Sequence, residues 1–217
     1  MARGKPAHRK PGSKGKNARE QGSGGELRII GGDWRSRKLR FPDAGGVRPS
    51  PARTRETLFN WLNYHLAGRD CLDLFAGSGA LGLEALSRGA ADATLVDHTT
   101  ALTRALQDNL LLLGSPKGDV VCQDVAQYLS HRHRPAFDII FMDPPFRQGW
   151  LERLLPLIDA QQWLRPGGWV YIEHESELTT LPTPADWYLH RQKTAGQVTY
   201  NLFRKASEPE TPSETNE

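Results

Sequence analysis

Residues 71–82 have the sequence CLDLFAGSGALG, which is the most informative segment for the fold class. A short apolar segment runs into three glycines with the spacing Gly77-x-Gly79-x-x-Gly82, and a helical pattern of leucines and alanines follows. Gly77 allows a sharp turn, Gly79 lets a ligand approach the backbone, and Gly82 lets the helix pack closely on the strand. The stretch therefore predicts a strand, a turn and a helix that together bind a nucleoside cofactor.

Acidic residues at strand ends indicate how that cofactor would be held. Asp97 ends the next apolar segment, 20 residues after Gly77, where a carboxylate can accept both hydroxyls of an adenosine ribose. The glycines do not separate NAD from S-adenosylmethionine. Asp73 could reach the ammonium of the methionine part and Asp124 the adenine amino group, which favours S-adenosylmethionine. Each acid could instead cap a helix. The predicted cofactor-binding residues are Asp73, Phe75, Ala76, Gly77, Ser78, Gly79, Asp97, Asp124 and Arg53.

A second motif, Asp143-Pro144-Pro145-Phe146, follows the apolar run 137–142. The two prolines fix φ near about −65° and remove two backbone donors, so the carbonyls around them stay free to accept. An acid, free carbonyls and an aromatic ring suit a planar group that carries an NH₂, such as a nucleobase. A simple strand-ending turn is the alternative, since Asp and Pro are common in turns. We predict that these four residues form the catalytic loop.

Strands and helices alternate from residue 71 onward. This alternation predicts a Rossmann-like α/β fold, in which a mostly parallel sheet has helices on both faces. Ligands then bind outside the carboxyl ends of the strands, where the acids and glycines named above fall. The predicted strands include 93–96, 137–142, 169–173, 187–191 and 198–203, and the predicted helices include 99–113, 125–129 and 150–158.

Composition and charge limit the metals, compartments and partners that we expect for this chain. The chain has 217 residues, two cysteines and no zinc-ligand spacing, so we expect no metal and a reducing, cytoplasmic location. It has no run of about 20 apolar residues and no apolar secretory segment, so we expect no membrane partner. Residues 1–40 hold 12 Lys and Arg against 3 acids, whereas residues 206–217 hold no bases and 4 acids. The positive charge is therefore concentrated at the N-terminus.

The basic N-terminal region predicts contact with a phosphate backbone, although a merely solubilising tail would have the same composition. We divide the chain into a disordered basic arm (1–25), a β-hairpin extension (26–45), a main α/β domain (46–205) and a disordered acidic tail (206–217). Trp34 in the hairpin could face RNA or pack on the main domain. The predicted RNA-binding residues are Arg35, Arg37, Lys38, Arg40, Arg48 and Arg147.

A helix is predicted after Pro49, with Ser50 as its N-cap and Pro51 as its first residue. Arg53 and Arg55 lie in its first turn, where cations are unfavourable against the helix dipole. Their position indicates an anionic partner, either the cofactor carboxylate or a phosphate, and plain solvent exposure is the alternative.

These residues carry a resemblance to known proteins. Residues 72–82 and 143–146 resemble the class I S-adenosylmethionine-dependent amino-methyltransferases. Residues 27–39 (LRIIGGDWRSRKL), 48–62 (RPSPARTRETLFNWL) and 195–200 (AGQVTY) narrow the resemblance to the bacterial 16S rRNA guanine(966)-N2 methyltransferase family. The resemblance extends from about residue 27 to 204. Two departures are visible: the family usually has a second acid where this chain has Thr99, and the N-terminal arm is longer than expected.

The resemblance implies a seven-stranded methyltransferase sheet, S-adenosylmethionine as methyl donor and 16S rRNA as acceptor, within a small-subunit particle or assembly intermediate. It also implies that the N-terminal hairpin helps to hold the RNA. Three alternatives stay open at this point. The acceptor could be a DNA adenine or a protein glutamine, although such enzymes more often have Asn and Tyr in place of Asp143 and Phe146. The chain could also be an NAD-dependent dehydrogenase or a non-enzymatic rRNA-binding assembly factor.

Overall fold

The computed structural model describes Met1 and residues 24–44, 49–131 and 135–207. Most of the predicted arm and tail, together with Arg48, lies outside the described residues. A two-stranded sheet comprises β1 (Gly25–Arg28) and β2 (Lys38–Phe41), and the larger sheet comprises β3 (Asp70–Leu74), β4 (Asp92–Asp97), β5 (Asp119–Cys122), β6 (Phe137–Met142), β7 (Leu164–Glu175), β8 (Trp187–Ala195) and β9 (Val198–Lys205). The helices are α1 (Ala52–Trp61), α2 (Gly82–Ser87), α3 (Thr100–Leu113), α4 (Val125–Ser130) and α5 (Trp150–Ala160).

The large sheet has seven strands in the order β5-β4-β3-β6-β7-β9-β8. Strands β3 to β7 are parallel, whereas β9 runs antiparallel to β7 and pairs with β8 as a hairpin. The predicted mostly parallel Rossmann-like sheet is thereby confirmed. The chain builds outward from β3 through β4 to β5 and then returns to place β6 on the other side of β3. The gap between β3 and β6 is the switch point at which such folds bind ligands.

Two apolar layers cover the two faces of the sheet. On one face, Ile139 and Phe141 of β6 pack with residues of α1, α2, α3 and the small hairpin. On the other face, Ile140 and Met142 pack with residues of α4 and α5. Because successive side chains of a strand point to opposite faces, the fully apolar run of β6 fits a central strand that is buried on both sides. Helices therefore lie on both faces, as predicted.

Two details differ from the sequence-based expectation. Strand β7 begins five residues earlier than the predicted 169–173, because Pro166-Gly167-Gly168 form an irregularity inside the strand and not a turn before it; the register with β6 shifts there. Cys122 is exposed, although its apolar strand suggests burial. Its strand, β5, is at the edge of the sheet, where one side has no neighbouring strand among the described residues.

The N-terminal hairpin packs on the main domain as part of one core. Leu27 and Ile29 on the first side, and Leu39 and Phe41 on the second, are buried in the same cluster as α1 and α2. Trp34 at the tip is half-buried and packs against that cluster. Of the two roles considered for Trp34, the structure therefore shows the packing role.

A buried carboxylate joins the hairpin to the main domain. Glu84 of α2 is fully buried, and its two oxygens accept hydrogen bonds from the backbone N–H groups of Ile30 (2.9 Å) and Gly31 (2.8 Å). The same carboxylate forms ion pairs with Arg55 (3.2 Å) and Arg88 (2.7 Å). A buried carboxylate that is not hydrated needs several hydrogen-bond and ion-pair partners, because an unpaired buried ion is strongly destabilising.

The contacts of Arg55 differ from those that the sequence predicts. The sequence predicts that it holds a cofactor carboxylate or a phosphate, but its guanidinium is buried against Glu84 and donates to the backbone carbonyls of Ser50 (3.1 Å) and Arg28 (3.0 Å). Burial lowers the pKa of Arg55, and the Glu84 carboxylate opposes that shift. The anionic partner inferred from the cation in the first turn of α1 is therefore an internal side chain.

We expect Glu84→Ala to lower the free energy of unfolding by about 3–5 kcal/mol, because it leaves the Arg55 guanidinium buried without its carboxylate. Urea denaturation measures the change. Glu177→Ala is the matched control, since it removes an Arg147–Glu177 pair of similar length (2.9 Å) that is exposed to solvent. Equal denaturation midpoints for the two variants would contradict the role assigned to Glu84.

Candidate active site

A cavity of about 940 Å³ opens at the carboxyl edge of the sheet, at the switch point between β3 and β6. Leu74 pairs with Met142, so the residues that follow these two strands emerge side by side. Ten predicted site residues line the cavity: Asp73, Phe75, Ala76, Gly77, Ser78, Asp97, Asp143, Pro144, Pro145 and Phe146. The glycine turn and the Asp-Pro-Pro-Phe loop thus border the same space.

The turn after β3 is held by Asp97. The Oδ2 atom of Asp97 accepts a hydrogen bond from the backbone N–H of Gly77 (2.9 Å), and Oδ1 accepts from that of Thr99 (2.8 Å). Gly77 has φ 52°, in the left-handed region that glycine adopts without strain. The buried Asp97 carboxylate therefore shapes the loop and also presents oxygens to the cavity.

Asp73 is a buried acid with an altered affinity for protons. Its Oδ2 accepts a hydrogen bond from the backbone N–H of Gly82, the first residue of α2 (2.8 Å), although the N-cap of that helix is Leu81. Asp73 also lines the cavity. Burial raises the pKa of Asp73 to about 7; the Gly82 hydrogen bond opposes the shift, and the nearby Asp143 and Asp97 carboxylates add to it. Its charge is therefore poorly compensated by the protein itself.

Two of the three motif glycines are required by packing. A Cβ atom on Gly82 would lie 2.9 Å from Leu95 of β4, which confirms that this glycine allows close helix–strand packing. The sequence predicts that Gly79 lets a ligand approach the backbone. It is not among the residues that line the cavity, and a Cβ there would lie 2.6 Å from the side chains of Leu83 and Leu106. Internal packing and a φ of 81° therefore favour a glycine at position 79, and the approach of a ligand to its backbone stays a prediction.

Besides Gly79, two predicted cofactor residues, Asp124 and Arg53, lie away from the cavity lining. Asp124 is the N-cap of α4, where its Oδ1 accepts from the backbone N–H of Gln127 (3.0 Å). The capping role considered for this acid is therefore observed, and its contact with adenine stays a prediction. Arg53 is exposed on α1, and its contact with the cofactor also stays a prediction.

Ser50 is part of the site, which the sequence does not indicate. The sequence predicts that it caps α1, but that helix has no side-chain cap, and Pro51 occupies the capping position. The Ser50 hydroxyl instead donates a hydrogen bond to Oδ2 of Asp143 (2.9 Å), 93 residues away. Burial raises the pKa of Asp143, and the bond from Ser50 opposes that shift.

A second buried acid, Glu173, lies near Asp143. It is 5% exposed, and its Oε1 accepts a hydrogen bond from the Tyr171 hydroxyl (2.8 Å). Burial raises the pKa of Glu173 to about 8, and the Asp143 charge adds to the shift. Glu173 follows the same pattern as Asp97 and Asp143, an acid near a strand end, so that pattern could have identified it.

The predicted RNA-binding side chains of the hairpin are exposed. Arg37 donates to the backbone carbonyl of Leu112 near the end of α3 (3.1 Å), and Lys38 pairs with Glu26 (3.0 Å). On the catalytic loop, Arg147 pairs with Glu177. Contact between these cations and RNA stays a prediction, as it does for Arg35, Arg40 and the undescribed Arg48.

Within the described residues, no group of three or more His, Cys, Asp or Glu side chains is arranged to hold a metal ion. None of the helices formed by those residues is both long and apolar enough to cross a bilayer.

Comparison with known proteins identifies the family of the chain. A family model described as "Conserved hypothetical protein 95" matches residues 27–204. The chain belongs to this family. It is 47% identical to the Ribosomal RNA small subunit methyltransferase D of Escherichia coli (strain K12), over 88% of this chain and 96% of that protein. The resemblance found in the sequence is thereby confirmed, and the chain is a methyltransferase.

Solved structures agree with this membership. An Escherichia coli protein called yhhF, described as a candidate methyltransferase, has a TM-score of 0.80 and 45% identity and covers 85% of this chain and 100% of its own. A Thermus thermophilus 16S rRNA N2 G1207 methyltransferase, solved with AdoMet and guanosine, has a TM-score of 0.62 and 25% identity; the match covers 85% of this chain and 50% of that protein. Family and fold favour methyl transfer over the dehydrogenase and the non-enzymatic assembly factor considered above.

Proposed function

We propose that this protein transfers a methyl group from S-adenosylmethionine to the exocyclic N2 amine of a guanine in 16S rRNA. The observation that carries the proposal is that the glycine turn after β3 and Asp143 after β6 line one cavity at the switch point of the sheet. Its relatives act on small-subunit rRNA by name, and a structural neighbour was solved with both AdoMet and guanosine.

The residues at the glycine turn fit the proposed cofactor. Asp97 presents carboxylate oxygens suited to ribose hydroxyls, next to Gly77. Asp73 is a buried acid whose neighbours include two further carboxylates, so a cation such as the methionine ammonium would stabilise its charge. When bound, S-adenosylmethionine supplies an electrophilic methyl group on a sulfonium sulfur.

The Asp-Pro-Pro-Phe loop would bind and orient the guanine. Asp143 and the Pro144 carbonyl would accept hydrogen bonds from the N2 amine and stabilise the positive charge that develops on nitrogen as it is methylated. Ser50 already holds one oxygen of Asp143 and leaves the other available. Phe146 would stack on an extruded base, a contact that contributes about 1–3 kcal/mol.

The proposal extends to the form of the substrate. We propose that the protein acts in the cytoplasm during small-subunit maturation, on rRNA within a particle or an assembly intermediate. Residues 26–45 would hold the RNA next to the site, and residues 1–25 would add phosphate contacts. Methylation rates of naked 16S rRNA and of unmodified small-subunit particles, compared at equal concentration, test which form is preferred.

We expect Asp143→Ala to reduce turnover by about 10²–10³-fold, because the amine loses the acceptor that stabilises its developing charge. Transfer of labelled methyl groups to 16S rRNA measures turnover, and calorimetric titration with S-adenosylhomocysteine should show nearly unchanged cofactor affinity. Asp159→Ala is the control, since Asp159 lies near the end of α5 and does not line the cavity. Wild-type turnover in Asp143→Ala would rule out the assignment.

Cofactor affinity should increase with pH up to about 7, the pKa of Asp73, because only the ionised carboxylate pairs with the ligand ammonium. The folded-state pKa is raised, so the acid is largely protonated at pH values well below 7 and must lose a proton on binding. We expect the dissociation constant of S-adenosylhomocysteine to fall by up to about tenfold per pH unit below pH 7. Asp73→Asn should bind weakly with no such slope; a slope that persists in this variant would assign it to another group.

The hairpin should supply salt-dependent RNA affinity. We expect Arg35→Gln combined with Arg40→Gln to weaken RNA binding and to reduce the slope of log K against log salt by about 1 for each phosphate that the variant no longer neutralises. Arg153→Gln is the control, because α5 packs on the opposite face of the sheet from the hairpin. Filter binding at several salt concentrations gives the slope, and equal slopes for all variants would show that the hairpin does not bind the RNA.

A further inference from the structure

Glu173 lies directly behind the proposed catalytic carboxylate. Met142 of β6 pairs with Ile172 of β7, so Asp143 and Glu173 are the next residues on two adjacent parallel strands. Asp143 lines the cavity, whereas Glu173 is 5% exposed and is not among the lining residues. An effect of Glu173 on methyl transfer would therefore act through Asp143 and not through direct contact with substrate.

Two hydroxyl groups connect these acids to their surroundings. The Tyr171 hydroxyl donates to Oε1 of Glu173 (2.8 Å), and the Ser50 hydroxyl donates to Oδ2 of Asp143 (2.9 Å). Ser50 is also a neighbouring hydroxyl that influences the pKa of Glu173. A serine hydroxyl has one proton to donate and two lone pairs that accept. With its one proton donated to Asp143, Ser50 can bond to Glu173 only as an acceptor, and Glu173 must then carry a proton.

The electrostatics of the pair agree with this hydrogen-bond direction. Two buried carboxylates at adjacent strand ends cannot both ionise without a large cost, so they hold one proton between them near neutral pH. Burial and the Asp143 charge raise the pKa of Glu173 to about 8, and the hydrogen bond from Tyr171 opposes that shift. Asp73 is the titratable group that faces Asp143 from β3, and Tyr200 faces Tyr171 from β9.

We propose that Glu173 is a positioning residue for methyl transfer: as a neutral acid it donates to Ser50, which donates to Asp143. The chain Tyr171–Glu173–Ser50–Asp143 then has all its hydrogen bonds in one direction, and such chains strengthen their members. It holds one Asp143 oxygen in place and leaves a single negative charge, with the other oxygen free for the amine. This inference rests on the proposed function, because it assigns Asp143 the task of gripping the acceptor.

Two substitutions at Glu173 test whether its role is that of a neutral hydrogen-bonding group. Glu173→Gln keeps a carbonyl that accepts from Tyr171 and an NH₂ that donates to Ser50, so kcat at pH 7 should stay close to wild type. Glu173→Ala removes both bonds and should lower kcat by about 10–100-fold, the scale expected for a misplaced catalytic group. The KM for RNA and the affinity for S-adenosylhomocysteine should change little in both variants, because Glu173 does not line the cavity.

The pH dependence of turnover tests the protonation state. Above about pH 8, wild-type Glu173 ionises and can no longer donate a hydrogen bond to Ser50. It then competes with Asp143 for the Ser50 proton, so the wild-type kcat should fall. The Glu173→Gln variant cannot ionise at this position and should retain its kcat. The ratio of the two kcat values at each pH removes effects that both enzymes share, such as ionisation of the guanine itself. A rising ratio of Glu173→Gln to wild type as pH passes through about 8 is expected.

Thermal unfolding supplies a readout that does not depend on activity. A raised folded-state pKa means that the native protein retains the Glu173 proton longer than the unfolded chain does. Wild type should therefore lose stability relative to Glu173→Gln as pH rises from the ordinary glutamate pKa of the unfolded chain to about 8. The difference in Tm between the two proteins should widen over this range in favour of Glu173→Gln.

Three results would overturn the inference. If Glu173→Gln and Glu173→Ala lose the same kcat at pH 7, then Glu173 acts as an ionised group or only as a structural one. A kcat ratio that is flat with pH, or a Tm difference that is flat with pH, would show that Glu173 is not the group that holds the proton. Failure of wild type to methylate any rRNA would remove the proposed function, and the Tm comparison would then still decide the protonation state of Glu173.

Discussion

The parallel pairing of β3 with β6 is the constraint on which the site depends. Leu74 lies opposite Met142, and one step further along each strand the chain turns into the cavity, with the glycine turn on one side and Asp143 on the other. This pairing joins segments that are far apart in sequence, and only an apolar strand that is buried on both faces can occupy the central position of β6. A slip of one residue would turn Asp143 toward the opposite face and separate it from the cofactor turn.

The same edge concentrates negative charge in a poorly solvated place, and each carboxylate is stabilised in a different way. Asp97 accepts from two backbone N–H groups, Asp143 accepts from Ser50, and we infer that Glu173 keeps its proton. Asp73 has one backbone donor, and burial raises its pKa to about 7, so an external cation would stabilise its charge. A sulfonium ligand with an ammonium group supplies positive charge where the protein provides little, so the electrostatics of the site favour a cationic cofactor over a neutral or anionic one.

Most of this arrangement could be predicted from the sequence because its signals are local. The apolar strands, the Gly-x-Gly-x-x-Gly turn and the acids at strand ends each occupy a few consecutive residues, and the order of strands and helices fixes their common edge. Ser50 and Arg55 differ from their predicted roles because their partners lie far away in the chain: Asp143 for Ser50 and Glu84 for Arg55. The sequence rules for helix caps and for charges near a helix dipole apply to Ser50 and Arg55 respectively. In the structure, tertiary contacts determine the position of both side chains.

The buried Glu84 connects the fold to the reaction. It fastens Ile30 and Gly31 of the hairpin to α2, the helix that begins at the glycine turn, and it holds Arg55, whose guanidinium also bonds the carbonyl of Ser50. One carboxylate therefore fixes the proposed RNA-holding hairpin, helix α2 and the segment that positions Ser50 against Asp143. A hairpin tethered only by a flexible linker would add affinity for RNA. A hairpin fastened to the helix and to the serine can also set the distance between bound RNA and the catalytic carboxylate, which methyl transfer to a single amine requires.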